Sequence, residues 1–197
     1  MTNLKALPNT RRTGNEPFHI DGAPLPNTLL NFWQWSSSEI VGNALRGMLA
    51  EYIVANALGC ADGVGQQWDA YDVLTPDGIK VEVKSGAFVQ RWSQKKLSPI
   101  QFGIQPSKGR DTASGLRNLE RKRKAHVYVF CVLKHQDKAT VDPLNMAQWD
   151  FYVLPTGVLD EKLGKQKTLS LSKLKRLGPV KADYAGIKSA IASVSKI

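Results

Sequence analysis

The stretch Thr75-Pro76-Asp77-Gly78 constrains this chain more than any other, because it dictates how the strands on either side must pair. Proline stands where a type I turn wants it and glycine where the next residue must be left-handed, which specifies a three-residue hairpin loop closed by a glycine bulge. That geometry sets Thr75 opposite Ile79, and counting back pairs Leu74 with Lys80, Val73 with Val81, Asp72 with Glu82 and Tyr71 with Val83. A two-residue loop would set Asp72 against Val81 and Tyr71 against Glu82, mixing apolar and charged side chains across the ladder. The apolar pattern therefore selects the first register.

In that register Asp72 and Glu82 are cross-strand neighbours, with Cβ atoms about 4.5–5.5 Å apart by general sheet geometry, and Lys84 lies beyond them on the same face. One wet side is enough to explain why Ile79, Val81 and Val83 alternate with polar residues. It does not explain two facing carboxylates, which repel unless a cation, a proton or a shared water relieves them. Lys84 supplies part of that relief. A divalent metal would supply more, since Mg²⁺ is typically held by one or two carboxylates plus waters and phosphate oxygens. A lysine beside such a metal orients and helps deprotonate an attacking water, so the cluster points to phosphodiester chemistry.

The composition is compatible with that reading. The 197 residues, 42% hydrophobic and 22% charged, suit a soluble globular chain with one substantial core. Net charge is +10 and the sequence pI about 9.7, in the range of nucleic-acid-binding domains. A generic solvated surface or an anionic lipid partner produces the same balance. Cys60 and Cys131 read as free buried thiols of a reducing compartment, and with His19, His126 and His135 they make no zinc spacing. The N-terminus has no apolar run of signal-peptide length and no segment reaches membrane-span length, so a cytoplasmic protein is expected.

Residues 1–28, rich in Asn, Pro, Gly and Thr, read as an extended N-terminal arm, and 29–197 as a single domain. A capping box of Ser36 with Glu39 opens a helix that runs to Gly59. On it, Glu51 shares a stripe with Ala44, Met48, Ala55 and Leu58 that should face the sheet. An acidic residue there is either a metal ligand or the buried partner of an arginine such as Arg46 or Arg91. Strands are expected at about 68–75, 79–85 and 100–104, a basic helix at GLRNLERKRKA, the most apolar strand at HVYVFCVLKH and a last strand at QWDFYVLPT, before LDEKLG. KLKRLG and ADYAGIKSAIASV suggest short closing helices. The order α-β-β-β-α-β-β-α predicts an α/β fold with a mixed sheet and flanking helices.

Asp72, nine intervening residues, then Glu82-Val83-Lys84 on a hairpin preceded by a helix bearing Glu51 resembles the PD-(D/E)XK nuclease superfamily, over about residues 37–133. The resemblance implies a restriction-endonuclease-like αβββαβ core. It also implies that Asp72 and Glu82 hold Mg²⁺, with Mn²⁺ as a substitute, that Glu51 and the Val83 backbone carbonyl join the metal site, and that Lys84 acts on the water. One departure stands out: the aspartate of the motif often follows proline, and here the only Pro-Asp is Pro76-Asp77 inside the turn, where Asp77 is a decoy. Asp69 is a second acidic candidate, on the face of Tyr71 and Val73. The implied activity is a Mg²⁺-dependent DNA endonuclease of restriction or defence type, with DNA preferred over RNA, no membrane partner and room for a homodimer. The alternatives are a non-catalytic DNA- or RNA-binding module of the same fold, a repair or junction-resolving nuclease, and a structural protein carrying the motif by chance.

Two basic strips are candidate phosphate contacts: Arg91, Lys95 and Lys96 around Trp92, and Arg117, Arg121, Lys122 and Arg123 on the expected basic helix. Either strip would also serve as a solvated face. Trp33, Trp35, Trp149 and Tyr152 read as core and edge packing, and His126 and His135 as polar strand ends rather than general bases.

Overall fold

The computed structural model describes residues 7–65, 71–110 and 117–195. In chain order its elements are β1 (Pro17–Ile20), β2 (Ala23–Thr28), α1 (Leu29–Ser37), α2 (Asn43–Leu58), β3 (Val73–Leu74), β4 (Lys80–Ala87), β5 (Gln101–Gly103), β6 (Ser107–Arg110), β7 (Arg117–Lys122), β8 (Val127–Leu133), β9 (Trp149–Pro155), α3 (Thr156–Leu163), β10 (Thr168–Ser170), α4 (Leu171–Arg176), β11 (Val180–Ala182) and α5 (Ile187–Val194). The fold is α/β, built on a mixed five-stranded sheet in the order β11-β9-β8-β4-β3 with helices against it. Only β4 and β8 run parallel; the other neighbours are antiparallel.

The apolar run VYVFCVL explains itself once β8 is central: all seven of its residues are buried. Val127, Val129, Cys131 and Leu133 face the layer made by α2 and α5. Tyr128, Phe130 and Val132 face the opposite layer, which contains β5, α3 and α4. Both faces of the strand are covered, so alternation disappears from its sequence. A parallel pair needs a crossover. The crossover segment at β5 lies on the Tyr128 face, where Phe102 meets Phe130 edge-on with ring centroids 4.9 Å apart. Gly86 is where this crossing comes closest to β4: a Cβ there would stand 2.6 Å from Ile100 Cγ2 and 3.1 Å from Phe102 Cε1.

Three local expectations are corrected. The basic segment expected as a helix contains β7, paired antiparallel with β6 through Ser107–Lys122 and Lys108–Arg121. A helix would stack Arg117, Arg121 and Lys124 at like-charge spacings that destabilise it, and Arg123 is tied down at its base by distant partners, described below. The helix expected from Glu39 begins at Asn43, because Glu39 lies ahead of it and its Oε1 accepts the Gly42 N–H at 3.1 Å. The expected third strand, β5, is not in the main sheet but pairs with β10.

The described part of the N-terminal segment is more structured than an extended arm. β1 and β2 form a hairpin around Asp21 and Gly22, both at positive φ. The helix α1 that follows buries none of its residues, and Trp35 is 86% exposed, against the expectation of packing. Trp149 and Tyr152 are buried as expected, while Trp33 is on the margin. Both cysteines are free, Cys131 fully buried and Cys60 partly. No helix among the described residues is long and apolar enough to cross a membrane.

Candidate active site

The hairpin forms in the register that the turn dictates: Val73 pairs with Val81 and Leu74 with Lys80. Gly78 is left-handed at φ 81°, and Thr75 closes the loop by accepting the Gly78 N–H at 2.9 Å while donating its own to Ile79 O at 3.0 Å. The ladder then stops short of the expected Asp72–Glu82 pair. Asp72 donates its N–H to Val81 O at 3.0 Å, so that it and Val73 both answer to one residue of β4. Its side chain takes over where the backbone leaves off, with Oδ2 accepting the Val83 N–H at 2.7 Å. In an extended strand a residue's N–H and C=O leave on the same edge, so the Val83 carbonyl points to this side as well.

Glu82 and Lys84 share one face of β4 and form an ion pair at 2.5 Å between Oε1 and Nζ. Burial raises the Glu82 pKa, with Lys84 opposing and Asp72 reinforcing. Asp72 is also raised, first by burial, against the pull of the Val83 N–H and Lys84. Glu51 is pushed up to about 7, by burial first and then by Asp72, with Lys84 opposing and Glu82 adding to it. Glu51 and Asp72 line one cleft, while Glu82 and Lys84 line another; the charges of the other three are felt at Glu51, though burial is the first cause of the shift at each of the three carboxylates.

Glu51 reaches this place by a different route from the one expected. The buried residues of α2 are Arg46, Ala50, Ile53, Val54 and Leu58. Met48 is 51% exposed, so the expected stripe is not the buried one. Glu51 stands at the margin of the buried face and lines, with Asp72, a cleft of about 460 Å³. The arginine alternatives are engaged elsewhere. Arg46 bonds to Val41 O, Asn43 Oδ1, Gln90 Oε1 and Ser85 Oγ, and Arg91 pairs with Glu39 at 3.6 Å. Among the described residues no three His, Cys, Asp or Glu side chains are gathered as a ready-made metal cluster.

Arg91, Lys95 and Lys96 are exposed around Trp92, itself 54% exposed. Gln94, which sequence reasoning missed, braces this loop: it accepts from Gln90 N at 2.6 Å and donates to Phe88 O at 3.1 Å and Ser98 Oγ at 3.0 Å. In the second strip Arg121 and Lys122 are exposed and Arg117 lies on β7. Arg123 is the exception, with its side chain fully buried. It donates to Ile104 O at 2.9 Å and to Asp160 Oδ1 at 2.5 Å. Asp77 is exposed at the turn, and Asp69 lies outside the described residues. His126 acts at a strand end, its Nδ1 accepting the Lys80 N–H at 3.2 Å. Tyr128 was also missed. It stands beside Glu82 only because β8 runs parallel to β4, a pairing with no local sequence signal.

An α/β sheet carrying a carboxylate-and-lysine centre at its interrupted edge is the setting for the comparison with known families. Residues 27–173, well over half of the chain, match the family model of bacteriophage T4 endonuclease IV. The chain belongs to that endonuclease family. No curated protein matches it.

Proposed function

We propose that the chain is a metal-dependent endonuclease of the PD-(D/E)XK type that hydrolyses phosphodiester bonds of DNA at the Asp72, Glu82 and Lys84 centre. The observation that supports this reading is the half-buried Glu82–Lys84 pair on β4 beside Asp72, whose Oδ2 accepts the Val83 N–H, in a chain of an endonuclease family. Half-buried carboxylates of which one lysine pairs with a single member fit a divalent cation. Mg²⁺ needs only one or two of them, with water completing its shell, so a preformed three-ligand cluster is not required. Asp72 and Glu82 would hold it, with the Val83 carbonyl on the same edge and Glu51 completing the set or fixing a water. When bound, Mg²⁺, or Mn²⁺ in its place, supplies charge neutralisation at the phosphate and Lewis acidity.

The chain's own residues do the rest. Lys84, paired with Glu82, would orient the attacking water and take part in moving its proton. Asp72 is fixed by the Val83 N–H, so its free oxygen has a defined direction. The exposed Arg91, Lys95 and Lys96 supply phosphate contacts that fix register without reading sequence. A restriction or defence role is the finer part of this proposal.

The test is incubation of purified protein with plasmid, linear and branched DNA in Mg²⁺, Mn²⁺ or EDTA, beside Asp72→Asn and Glu82→Gln. Cleavage is expected with either metal, none in EDTA and none from the variants. DNA binding without cleavage by the wild type would make the chain a binding module, and cleavage retained by both variants would move the chemistry elsewhere.

A further inference from the structure

Glu82 and Lys84 line a second cleft with Tyr128, of about 250 Å³. Glu82, Lys84, Gln105, Arg123, Lys124 and Tyr128 line it. Its most telling member is Arg123. The guanidinium is fully buried, yet it is only partly satisfied: Nε goes to Ile104 O and Nη1 to Asp160 Oδ1, while Nη2 has no hydrogen-bond partner among the described residues. Leaving a buried charged donor unmatched is costly, and such a group in a native fold calls for an explanation such as an absent ion or ligand. Because two of its edges are already bonded, the guanidinium is held in one orientation before any ligand arrives. Arginine in that state suits the oxygens of a phosphate better than any flexible lysine does.

The charge around it points the same way. Three cations line the cleft, Lys84, Arg123 and Lys124; Glu82 pairs with Lys84 and Asp160 with Arg123, which leaves one positive charge in excess. The volume falls below the roughly 300–1,000 Å³ usual for enclosed small-molecule sites, which suits one phosphodiester group reached from an open strand. We propose that this cleft is a phosphate subsite, in which Arg123 and Lys124 hold a backbone phosphate of the nucleic acid adjacent to the one attacked at Glu82 and Lys84. The proposal rests on the endonuclease reading for its choice of nucleic acid. It assigns Arg123 a buried, directional contact in place of the exposed strip contact expected from sequence.

The test is binding in EDTA, where no cleavage intervenes, of a short fluorescent single-stranded DNA in which one neutral methylphosphonate linkage is walked along the strand. For the wild type, one linkage position should cost about tenfold in affinity, as for a charged hydrogen bond. Arg123→Ala risks the fold through Asp160, so the variants are Lys124→Ala, at the partly exposed end of the cleft, and Arg123→Lys, each checked by its urea midpoint. Both should bind the all-phosphodiester strand several-fold more weakly and no longer sense the critical linkage. If both folded variants bind as tightly as wild type, or if the neutral linkage costs them the same as wild type, the subsite is refuted. Inorganic phosphate competing as well as the oligonucleotide at equal phosphate concentration would overturn the backbone assignment and make it a free-anion site. A wild type that shows the linkage effect but never cuts with Mg²⁺ would overturn the endonuclease reading and leave the subsite standing.

Discussion

Glu51→Gln tests whether ionising Glu51 costs the folded chain stability. Glu51 is raised from 4.5 to about 7, chiefly by burial and then by Asp72. For an acid whose pKa is higher in the folded than in the unfolded chain, the native state binds more protons between the two values, so stability falls as pH rises from about 4.5 to about 7. At about 1.4 kcal/mol per unit the full shift corresponds to roughly 3 kcal/mol. Glu51 is half-buried and screened by solvent, which brings the expectation to about 1–2 kcal/mol. Replacing it by glutamine removes the ionisation and relieves Asp72 and Glu82 as well. Urea unfolding in EDTA should therefore show wild type and variant differing little in pH dependence below pH 4, and the variant gaining about 1–2 kcal/mol relative to wild type by pH 8. Comparing the two pH values cancels any constant cost of the substitution. A difference that is the same at both, or one that favours wild type at pH 8, would refute the raised Glu51 pKa.

Other perturbations separate the parts. Lys84→Ala should cut cleavage by about 10²–10⁴-fold, the usual general acid–base contribution, in single-turnover assays; full activity would remove the lysine from the mechanism. Asp72→Ala should abolish Mg²⁺ or Mn²⁺ binding by calorimetry, and equal binding by wild type and variant would count against the metal site. Gly86→Ala places a Cβ 2.6 Å from the buried Ile100, and overpacking there should lower the urea-derived stability by about 1–3 kcal/mol. Neutralising Arg91, Lys95 and Lys96 together should weaken binding to all DNA sequences alike and flatten its salt dependence; an unchanged salt slope would mark them as a solvated face.

What the sequence made legible was written in short-range code. Thr75-Pro76-Asp77-Gly78 carries its own turn geometry, and β8 and β9 are apolar runs that no exposed element tolerates, so register and central strands followed directly. Gly59 ends α2 in the left-handed conformation expected of it. The failures are long-range. A segment such as Arg117–Lys122 fits a helix or a strand on local grounds, and its neighbour Arg123 is anchored by Asp160, 37 residues away. The N-terminal hairpin is short and apolar without alternation, and no periodicity announces it. Tyr128 could be placed beside Glu82 only by knowing that the two most distinctive strands run parallel, with a whole crossover between them.

The early end of β3 links fold to site more tightly than the motif spacing suggests. Had the ladder run on, Asp72 and Glu82 would have been an ordinary cross-strand pair with their backbone groups absorbed in sheet hydrogen bonds. Because it stops at Val73, the Asp72 side chain substitutes for a strand at the Val83 N–H and is thereby held in a fixed direction. Glu51 on α2 lines the same cleft as Asp72, and its pKa is raised by burial first and then by the Asp72 charge. The local break in the sheet is therefore not a defect beside the site. It frees one edge of β4 at Val83 and turns a carboxylate into a structural acceptor there.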